Sequence, residues 1–282
     1  MRWLLRLVRA GVVAGLALLA MAYAGATRTA VIVTHDISAP AWTGPPVTIA
    51  LLADPHAAHP DMPPARIARI VGQTNALRPD IVLLAGDYVT GRLVQLGRIG
   101  PAEATAPFAG LRARWGTFAV LGNHDMERPG LAEAVAAGLQ AAGVTVLRNR
   151  AARAGPLWVA GADDNEHGTT GVTAAMAGVP PGAPLLYLVH NPDNLVDAPA
   201  HVGLTLAGHS HGGQVRLPLV GALVLPIQRR DWARGHIVWR GPDGLARHMI
   251  VSSGLGASGA PVRLGVPPEI VLVRLRGAPA SG

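Results

Sequence analysis

From Val47 onwards, short apolar runs that end abruptly in polar residues recur along the chain. Five of these runs, at 47–53, 81–85, 117–121, 185–189 and 203–207, predict strands that are each followed by aspartate, asparagine or histidine. The runs are continuously apolar, which is typical of strands covered on both faces. Helical patterns at 64–78, 102–114 and 130–143 lie between them, so the sequence predicts an α/β domain.

The pattern changes after His211. Shorter apolar segments at 214–219, 235–239, 248–252 and 270–275 are separated by glycine and proline turns. Such segments favour antiparallel strands that continue the same domain.

The first thirty residues have a different pattern. Arg2, Arg6 and Arg9 precede a charge-free run at 10–26, which is the layout of a secretory signal or a signal anchor. The run is long enough to span a bilayer. Retention is favoured over cleavage because no polar stretch separates the run from the next apolar segment, but both stay open. Positive charge before a span favours an extracytoplasmic position for the rest of the chain.

The expected division of the chain is an anchor or transmembrane segment at 1–28, a linker at 29–46 and a catalytic domain at 47–277. Prolines and a lone tryptophan at 35–46 are typical of a linker or of an outer edge strand.

Composition narrows the chemistry. Half of the 282 residues are apolar, which supports a sizeable core. The net charge of +7 comes from arginines that are mostly scattered, so we expect no nucleic-acid partner, although a basic face could attract anionic lipid. The absence of lysine excludes a P-loop lysine and a Schiff-base lysine. The absence of cysteine excludes a thiol nucleophile and a thiolate metal site.

Candidate chemistry lies in the polar residues that follow the five strands. They are Asp54-Pro55-His56, Gly86-Asp87, Gly122-Asn123-His124-Asp125, His190-Asn191-Pro192 and Gly208-His209-Ser210-His211. Each alone is an ordinary turn or cap. Together they lie at the carboxyl ends of strands, where ligands collect in α/β sheets. Oxygen and imidazole donors without thiolate suit Mn, Fe, Zn or similar divalent ions.

In this order, the five motifs resemble the calcineurin-like metallophosphoesterase superfamily, from about Val47 onwards. Within it, the chain resembles membrane-associated bacterial phosphoesterases that have an N-terminal hydrophobic segment. The residues behind this second resemblance are Arg78-Pro79-Asp80, the extension Gly212-Gly213-Gln214, and the tail Ser253-Gly254-Leu255-Gly256 that leads to Pro267-Pro268-Glu269-Ile270. The implied fold is a four-layer αββα sandwich of two mixed β-sheets flanked by helices, preceded by an N-terminal hydrophobic helix.

The resemblance also implies seven ligands for two divalent metal ions. The first ion takes Asp54, His56 and His211, the second takes Asn123, His190 and His209, and Asp87 bridges them. His124 resembles the residue that protonates the leaving oxygen or stabilises the transition state. Asp125 is expected to fix the tautomer of His124.

The implied activity is hydrolysis of a phosphodiester, phosphomonoester or pyrophosphate bond by in-line attack of a metal-bridging hydroxide. A lipid-linked substrate is one alternative that the motifs leave open, as they do metal identity and oligomeric state. A metallo-β-lactamase would have Asp-His after its His-x-His, whereas Gly212 and Gly213 follow here. A zinc peptidase would need His-Glu-x-x-His, which is absent. A membrane-anchored, non-enzymatic scaffold on the same fold is the rival of another class, and it should have lost at least one ligand.

Overall fold

Two six-stranded sheets dominate the computed structural model, which describes residues 2–92, 96–164 and 171–278. The first sheet consists of β1 (Val31–Ala39), β2 (Val47–Leu52), β3 (Ile81–Ala85), β4 (Thr117–Val120), β5 (Thr145–Val146) and β14 (Glu269–Gly277). The second consists of β6 (Arg150–Ala154), β7 (Leu157–Gly161), β8 (Leu185–Leu188), β9 (Leu204–Ala207), β12 (Gly235–Arg240) and β13 (Ala246–Val251). A separate hairpin consists of β10 (Arg216–Leu217) and β11 (Gly221–Ala222).

Both sheets are mixed, as the sequence predicts. The strand order is β1-β14-β2-β3-β4-β5 in the first sheet and β12-β13-β9-β8-β7-β6 in the second. Strands β2 to β5 are parallel, and β14 is antiparallel to β2. In the second sheet β7, β8, β9 and β13 are parallel, with antiparallel strands β6 and β12 at the edges.

The layers of the sandwich follow from the face of the sheet to which each strand residue points. Along β2, Ile49 and Leu51 pack between the sheets, whereas Ala50 and Leu52 pack on the outer face. Neighbouring side chains of a strand point to opposite faces, so one apolar run serves two cores. The outer face of the first sheet is covered by α2 (Pro64–Ala76), α3 (Pro101–Thr105) and α5 (Leu131–Ala141). The outer face of the second is covered by α6 (Val172–Met176) and the 3₁₀ turns Pro192–Asp197 and Arg230–Trp232. The predicted αββα sandwich is confirmed.

Two predicted elements differ from the structure. The helix expected at 102–114 is α3 followed by a 3₁₀ turn at Ala106–Gly110. Pro107 lacks the N–H that a continuing α-helix needs, which explains the break. The strand expected at 214–219 is only the two-residue β10, because the chain turns back into β11.

The segment expected as a linker contains a strand of the first sheet. Strand β1 pairs in parallel with β14 over nine residues, from Val31 opposite Glu269 to Ala39 opposite Gly277. The interpretation as an outer edge strand therefore describes this segment better than the linker does. Trp42, just beyond β1, is buried, and its indole N–H donates to the Pro45 carbonyl at 2.9 Å. The division of the chain into three domains stays a prediction.

Helix α1 (Arg2–Thr27) differs from every other helix in the described ranges, because it alone has the length and apolar composition to cross a membrane. None of its most apolar stretch is buried in the protein. Only Ala22 and Ala26, near its carboxyl end, are buried. A short helix, α4 (Asn123–Met126), completes the set and opens directly after β4.

Candidate metal centre

The carboxyl ends of five strands meet at one edge of the sandwich. Asp54 and His56 follow β2, Asp87 follows β3, and Asn123 opens α4 after β4. His190 follows β8, and the segment after β9 contributes the remaining two residues of the predicted set, His209 and His211. All seven predicted ligand residues are brought together, four from the first sheet and three from the second.

Their donor atoms form two groups that share one carboxylate. In the first group, one donor atom from each of Asp54, His56, Asp87 and His211 lies within 4.8 Å of all the others. In the second, the same holds for Asp87, His190 and His209. These are the two sets that the sequence motifs predict, without Asn123. The Asn123 Oδ1 lies 3.1 Å from His190 Nε2, which places it beside the second group.

Ring nitrogens and a carboxylate oxygen of the cluster lie close enough together to bind metal ions in common. The Nε2 atoms of His56 and His211 are 3.1 Å apart, and His190 Nε2 is 3.0 Å from His209 Nδ1. Ring nitrogens that face one another must share a proton or bind a common cation. Asp87 Oδ2 lies between the groups, 3.3 Å from His56 Nε2 and 3.4 Å from His190 Nε2. The donor set suits two divalent ions with Asp87 between them.

The backbone of the cluster is strained. Five of the seven residues have positive φ, between 45° and 66°: Asp54, His56, Asp87, His209 and His211. Each such conformation costs a non-glycine residue about 1–3 kcal/mol and persists only when the surroundings enforce it. Here the Asp54 and His56 amides donate to the carbonyls of Gly86 and Asp87, at 3.1 and 2.9 Å. The His209 amide donates to Asp54 Oδ1 at 3.0 Å and thereby joins the two sheets.

Gly122 leaves room for Asp87. A Cβ at this position would lie 2.2 Å from Asp87 Oδ1, which is far inside van der Waals contact. Any side chain at Gly122 would therefore displace the carboxylate shared by the two groups.

Asp125 is fully buried behind Asp87 and holds the loop that carries it. Its Oδ2 accepts from the amides of Gly122 and Asp87, at 2.9 and 2.8 Å. Its Oδ1 accepts from the amides of Tyr88 and Val89, at 2.9 and 3.2 Å. The expectation that Asp125 fixes the tautomer of His124 is wrong, because both of its oxygens are directed at these backbone amides.

Glu127 takes the place next to His124 that was expected for Asp125. Its Oε1 contacts His124 Nδ1. The other ring nitrogen, Nε2, lies 3.4 Å from the Ser258 hydroxyl, and the His124 amide donates to Asp87 Oδ1 at 3.0 Å. His124 is thus partly exposed at the edge of the cluster, outside both groups. Sequence reasoning missed Glu127, although its spacing three residues after His124, directly after a short helix, could have revealed it.

Arg263 is fully buried beside the cluster, and sequence reasoning missed it as well. Its guanidinium donates to the carbonyls of Gly256 and Ser253, both at 2.7 Å, and lies 3.3 Å from His211 Nδ1. Burial lowers the pKa of Arg263 to about 10, and the nearby Asp54 carboxylate opposes that change. No motif marks this arginine, since it reaches the cluster from a loop 52 residues away from His211 in sequence.

Burial and mutual charge set the ionisation of the cluster before any ion binds. Burial raises the pKa of Asp54 to about 7 and lowers those of His56 and His209 to about 3 and about 4. Burial would also raise the pKa of Asp87, but attraction to His190 and His56 outweighs it and holds that pKa well below its usual value. His190 shows the opposite balance, since Asp87 raises its pKa well above the usual value despite burial. A proton on His190 therefore balances the charge on Asp87.

Two cavities of opposite character open beside the cluster. One, of about 520 Å³, is lined by Arg98, Arg128 and Glu127 among others. The other, of about 410 Å³, is lined by His211 together with apolar residues that include Leu223 and Val224. The first suits anionic groups, and the second suits hydrocarbon.

A family model for calcineurin-like phosphoesterases matches residues 47–237, which include every residue of the cluster. The phosphodiesterase YaeI of Escherichia coli strain K12 is 31% identical over 243 residues, which cover 82% of each chain. The chain belongs to the calcineurin-like phosphoesterase family. An uncharacterized metallophosphoesterase of Aquifex aeolicus is 34% identical, over 71% of this chain and 74% of the relative. A transmembrane protein with metallophosphoesterase domain from Bos taurus is 28% identical, over 82% of this chain and 53% of the relative.

The protein is thus a metal-dependent phosphoesterase, and the superfamily predicted from the five motifs is confirmed. The apolar helix α1 and the relatives named as transmembrane proteins support association with a membrane.

Proposed function

We propose that this phosphoesterase holds two divalent ions, one in each donor group, and hydrolyses phosphoester bonds at the edge where the two sheets meet. The observation that carries the proposal is the sharing of Asp87 by two otherwise separate groups of ligand atoms. Asn123 completes the second group as a neutral oxygen ligand. With only Asp54 and Asp87 supplying negative charge, two divalent ions would leave a net positive site that attracts a phosphate.

Bound divalent ions in such a pair supply Lewis acidity towards a phosphoryl oxygen and make water a nucleophile near neutral pH. The chain supplies positioning and a proton. The contact with Glu127 commits His124 Nδ1 to that carboxylate and leaves Nε2 for the substrate. Nε2 lies next to Ser258 at the partly exposed edge of the cluster, where a leaving oxygen can reach it. We assign His124 as the general acid.

The arginine-lined cavity would orient the substrate. Arg98 and Arg128 line it together with Glu127, the partner of His124. Guanidinium groups bind phosphate and carboxylate oxygens with two parallel hydrogen bonds. A second anionic group on the substrate would therefore lie on the His124 side of the cluster.

Phosphodiesters are the substrates to test first, because a relative whose similarity extends over most of this chain is named a phosphodiesterase. Monoesters and pyrophosphates share the same metal requirements. The arginines at 2, 6 and 9 lie in the amino-terminal part of α1, before its charge-free run, and this charge distribution favours an extracytoplasmic catalytic domain.

The decisive experiment uses the full chain purified in detergent, stripped of metal and reloaded with Mn, Fe or Zn. We expect hydrolysis of a nitrophenyl phosphodiester to rise with metal content and to saturate near two ions per chain. Asp87→Asn should lower the affinity for both ions, whereas Asn123→Ala should weaken one ion and be partly rescued by excess metal. Saturation at one ion, or full activity in the presence of a chelator, would contradict the proposal.

A further inference from the structure

The β10–β11 hairpin exposes the most contiguous apolar surface found outside α1 in the described ranges. At its tip, Leu219 is 108% exposed and Val220 is 67% exposed, and Leu223 and Val224 follow at 53% and 72%. Isolated exposed apolar residues are ordinary, but four large ones within six positions mark a surface that binds something apolar.

The base of this hairpin is tied to the end of α1 through two intervening residues. The Arg263 amide donates to the Ala22 carbonyl of α1 at 2.8 Å, and the Arg216 amide of β10 donates to the Leu264 carbonyl at 2.8 Å. Gly25 allows this close approach, since a Cβ there would lie 2.2 Å from the Arg263 carbonyl oxygen. The hairpin therefore starts beside the point where the candidate membrane span joins the catalytic domain.

Charge next to the hairpin also suits a lipid surface. Arg229, Arg230 and Arg234 are exposed just after β11, and the Arg230 guanidinium donates to the Ala222 carbonyl of the hairpin at 3.3 Å. The single acidic residue among them is Asp231. An apolar tip flanked by arginines is the arrangement that binds the headgroup region of an anionic bilayer, with the apolar side chains below and the cations above.

The apolar cavity connects this hairpin to the metal centre. Its lining includes both Leu223 and Val224 of the hairpin segment and His211, a member of the first donor group. Leu219 and Val220 lie outside the cavity lining. A molecule whose hydrocarbon part enters beside the hairpin would have its polar end near the cluster.

We propose that the β10–β11 hairpin enters the lipid interface beside α1 and that the apolar cavity takes the hydrocarbon part of a lipid phosphoester drawn from that membrane. This inference rests on the proposed function, because it names the substrate class of the same metal centre. The occupant of the surface is a bilayer, rather than a protein partner or a second copy, because the hairpin adjoins the segment that itself enters lipid.

The first experiment exploits the absence of cysteine from the chain. Val220→Cys and the control Leu245→Cys, at the exposed turn between β12 and β13, are each labelled with a nitroxide in the full chain in phosphatidylcholine–phosphatidylglycerol vesicles. The label at 220 should be accessible to oxygen dissolved in lipid and protected from an aqueous nickel chelate. The label at 245 should show the reverse. Equal exposure of both labels to the nickel chelate would overturn the proposal, as would disulfide cross-linking between two copies at 220.

The second experiment separates the inference from the proposed function. The double variant Leu219→Asp and Val220→Asp is compared with Leu245→Asp on a vesicle-embedded lipid phosphodiester and on a water-soluble nitrophenyl phosphodiester. The double variant should lose about tenfold or more of its rate on the lipid substrate alone. Equal loss on both substrates, or no loss on either, would overturn the hairpin proposal. A wild-type chain loaded with metal that cleaves neither substrate would instead contradict the proposed function.

Discussion

Two buried charged residues of opposite sign support different parts of the metal cluster. One accepts hydrogen bonds from backbone amides, and the other donates hydrogen bonds to backbone carbonyls. Asp125 lies behind Asp87 and gathers four backbone N–H groups. Arg263 lies behind His211 and gathers backbone carbonyls, those of Ser253 and Gly256 at the shortest distances. Strained ligand loops need partners for their unpaired backbone groups, so an anion serves where amides converge and a cation serves where carbonyls converge.

The two supports differ in how far they reach along the chain. Asp125 belongs to the same motif as Asn123, and its partners lie within 38 residues of it. Arg263 comes from a loop beyond the second sheet, and its own amide is bonded to α1. The Asp125 side therefore depends on local structure within the first sheet, whereas the Arg263 side depends on contacts between distant parts of the chain.

The largest expected effect follows the loss of Asp125. Asp125→Ala would leave four amides unpaired in the interior, and we expect the free energy of unfolding to fall by about 3–5 kcal/mol, with activity lost. Asp125→Asn is the matched control, since it keeps the shape and one acceptor oxygen and should lose less. Urea unfolding of both variants measures the difference. Stability equal to wild type in Asp125→Ala would show that this support is dispensable.

Replacing Arg263 should have the next largest effect. Arg263→Met keeps much of the side-chain volume but leaves the two carbonyls without donors, and we expect a loss of about 2–4 kcal/mol. The Arg263→Lys control retains charge but has no fork to reach both carbonyls and His211, so its loss should be smaller. Metal analysis should show weaker binding in the group that contains His211. Weaker metal binding only in the group that contains His190 and His209 would contradict the assignment of Arg263 as a support for His211.

Proton release on metal binding should be the third effect in size. In the metal-free protein the pKa of Asp54 is raised to about 7 and that of His190 is raised well above its usual value, so both hold protons at slightly acidic pH. Metal needs both groups deprotonated, so affinity should rise with pH by about tenfold per pH unit for each proton released. Isothermal titration in buffers of different ionisation enthalpy counts these protons. Affinity independent of pH between 5 and 8 would exclude protonated ligands.

The smallest effect on stability is expected for His124, although its effect on turnover is large. His124→Ala should keep both ions and unfold within about 0.5 kcal/mol of wild type, because the side chain is partly exposed. Turnover should fall by about 10²–10⁴-fold, and by less for a nitrophenyl leaving group that needs little protonation. Glu127→Gln is the matched variant and should lose about 10–100-fold. Loss of a metal ion from His124→Ala would make His124 a ligand.

The strands could be predicted from the sequence because each is an apolar run that ends in polar residues, and the seven proposed ligand residues lie in those polar segments. The proximity of Asp54, Asp87 and His190 follows from the rule that polar residues at the carboxyl ends of parallel strands converge, whereas their roles as ligands come from the resemblance to the family. The pairing of β1 with β14 could not be predicted, since it joins segments more than two hundred residues apart and β1 lacks a fully buried face.

Supporting residues were predicted poorly for a different reason. Asp125 was identified as part of the site, but its partner could not be, because the choice between a neighbouring imidazole and four amides depends on the exact path of the Asp87 loop. Arg263 has no motif, and among many scattered arginines only its burial distinguishes it. Leu219 was expected in a strand at 214–219 but lies in the turn between β10 and β11, because apolar alternation does not reveal where the chain turns.

Because each donor group takes residues from both sheets, each bound metal ion would link two stretches of the chain. Strands β2 to β5 of the first sheet occupy residues 47–146, the strands of the second sheet lie within residues 150–251, and β14, which joins β1 to the first sheet, comes last at 269–277. Neither donor group is complete before the second sheet is made, because the first group needs His211 and the second needs His190 and His209. Metal uptake would then be a late step in biogenesis. A nascent chain could pair β2 to β5 early, yet it would bind its ions only after the second sheet had packed against them.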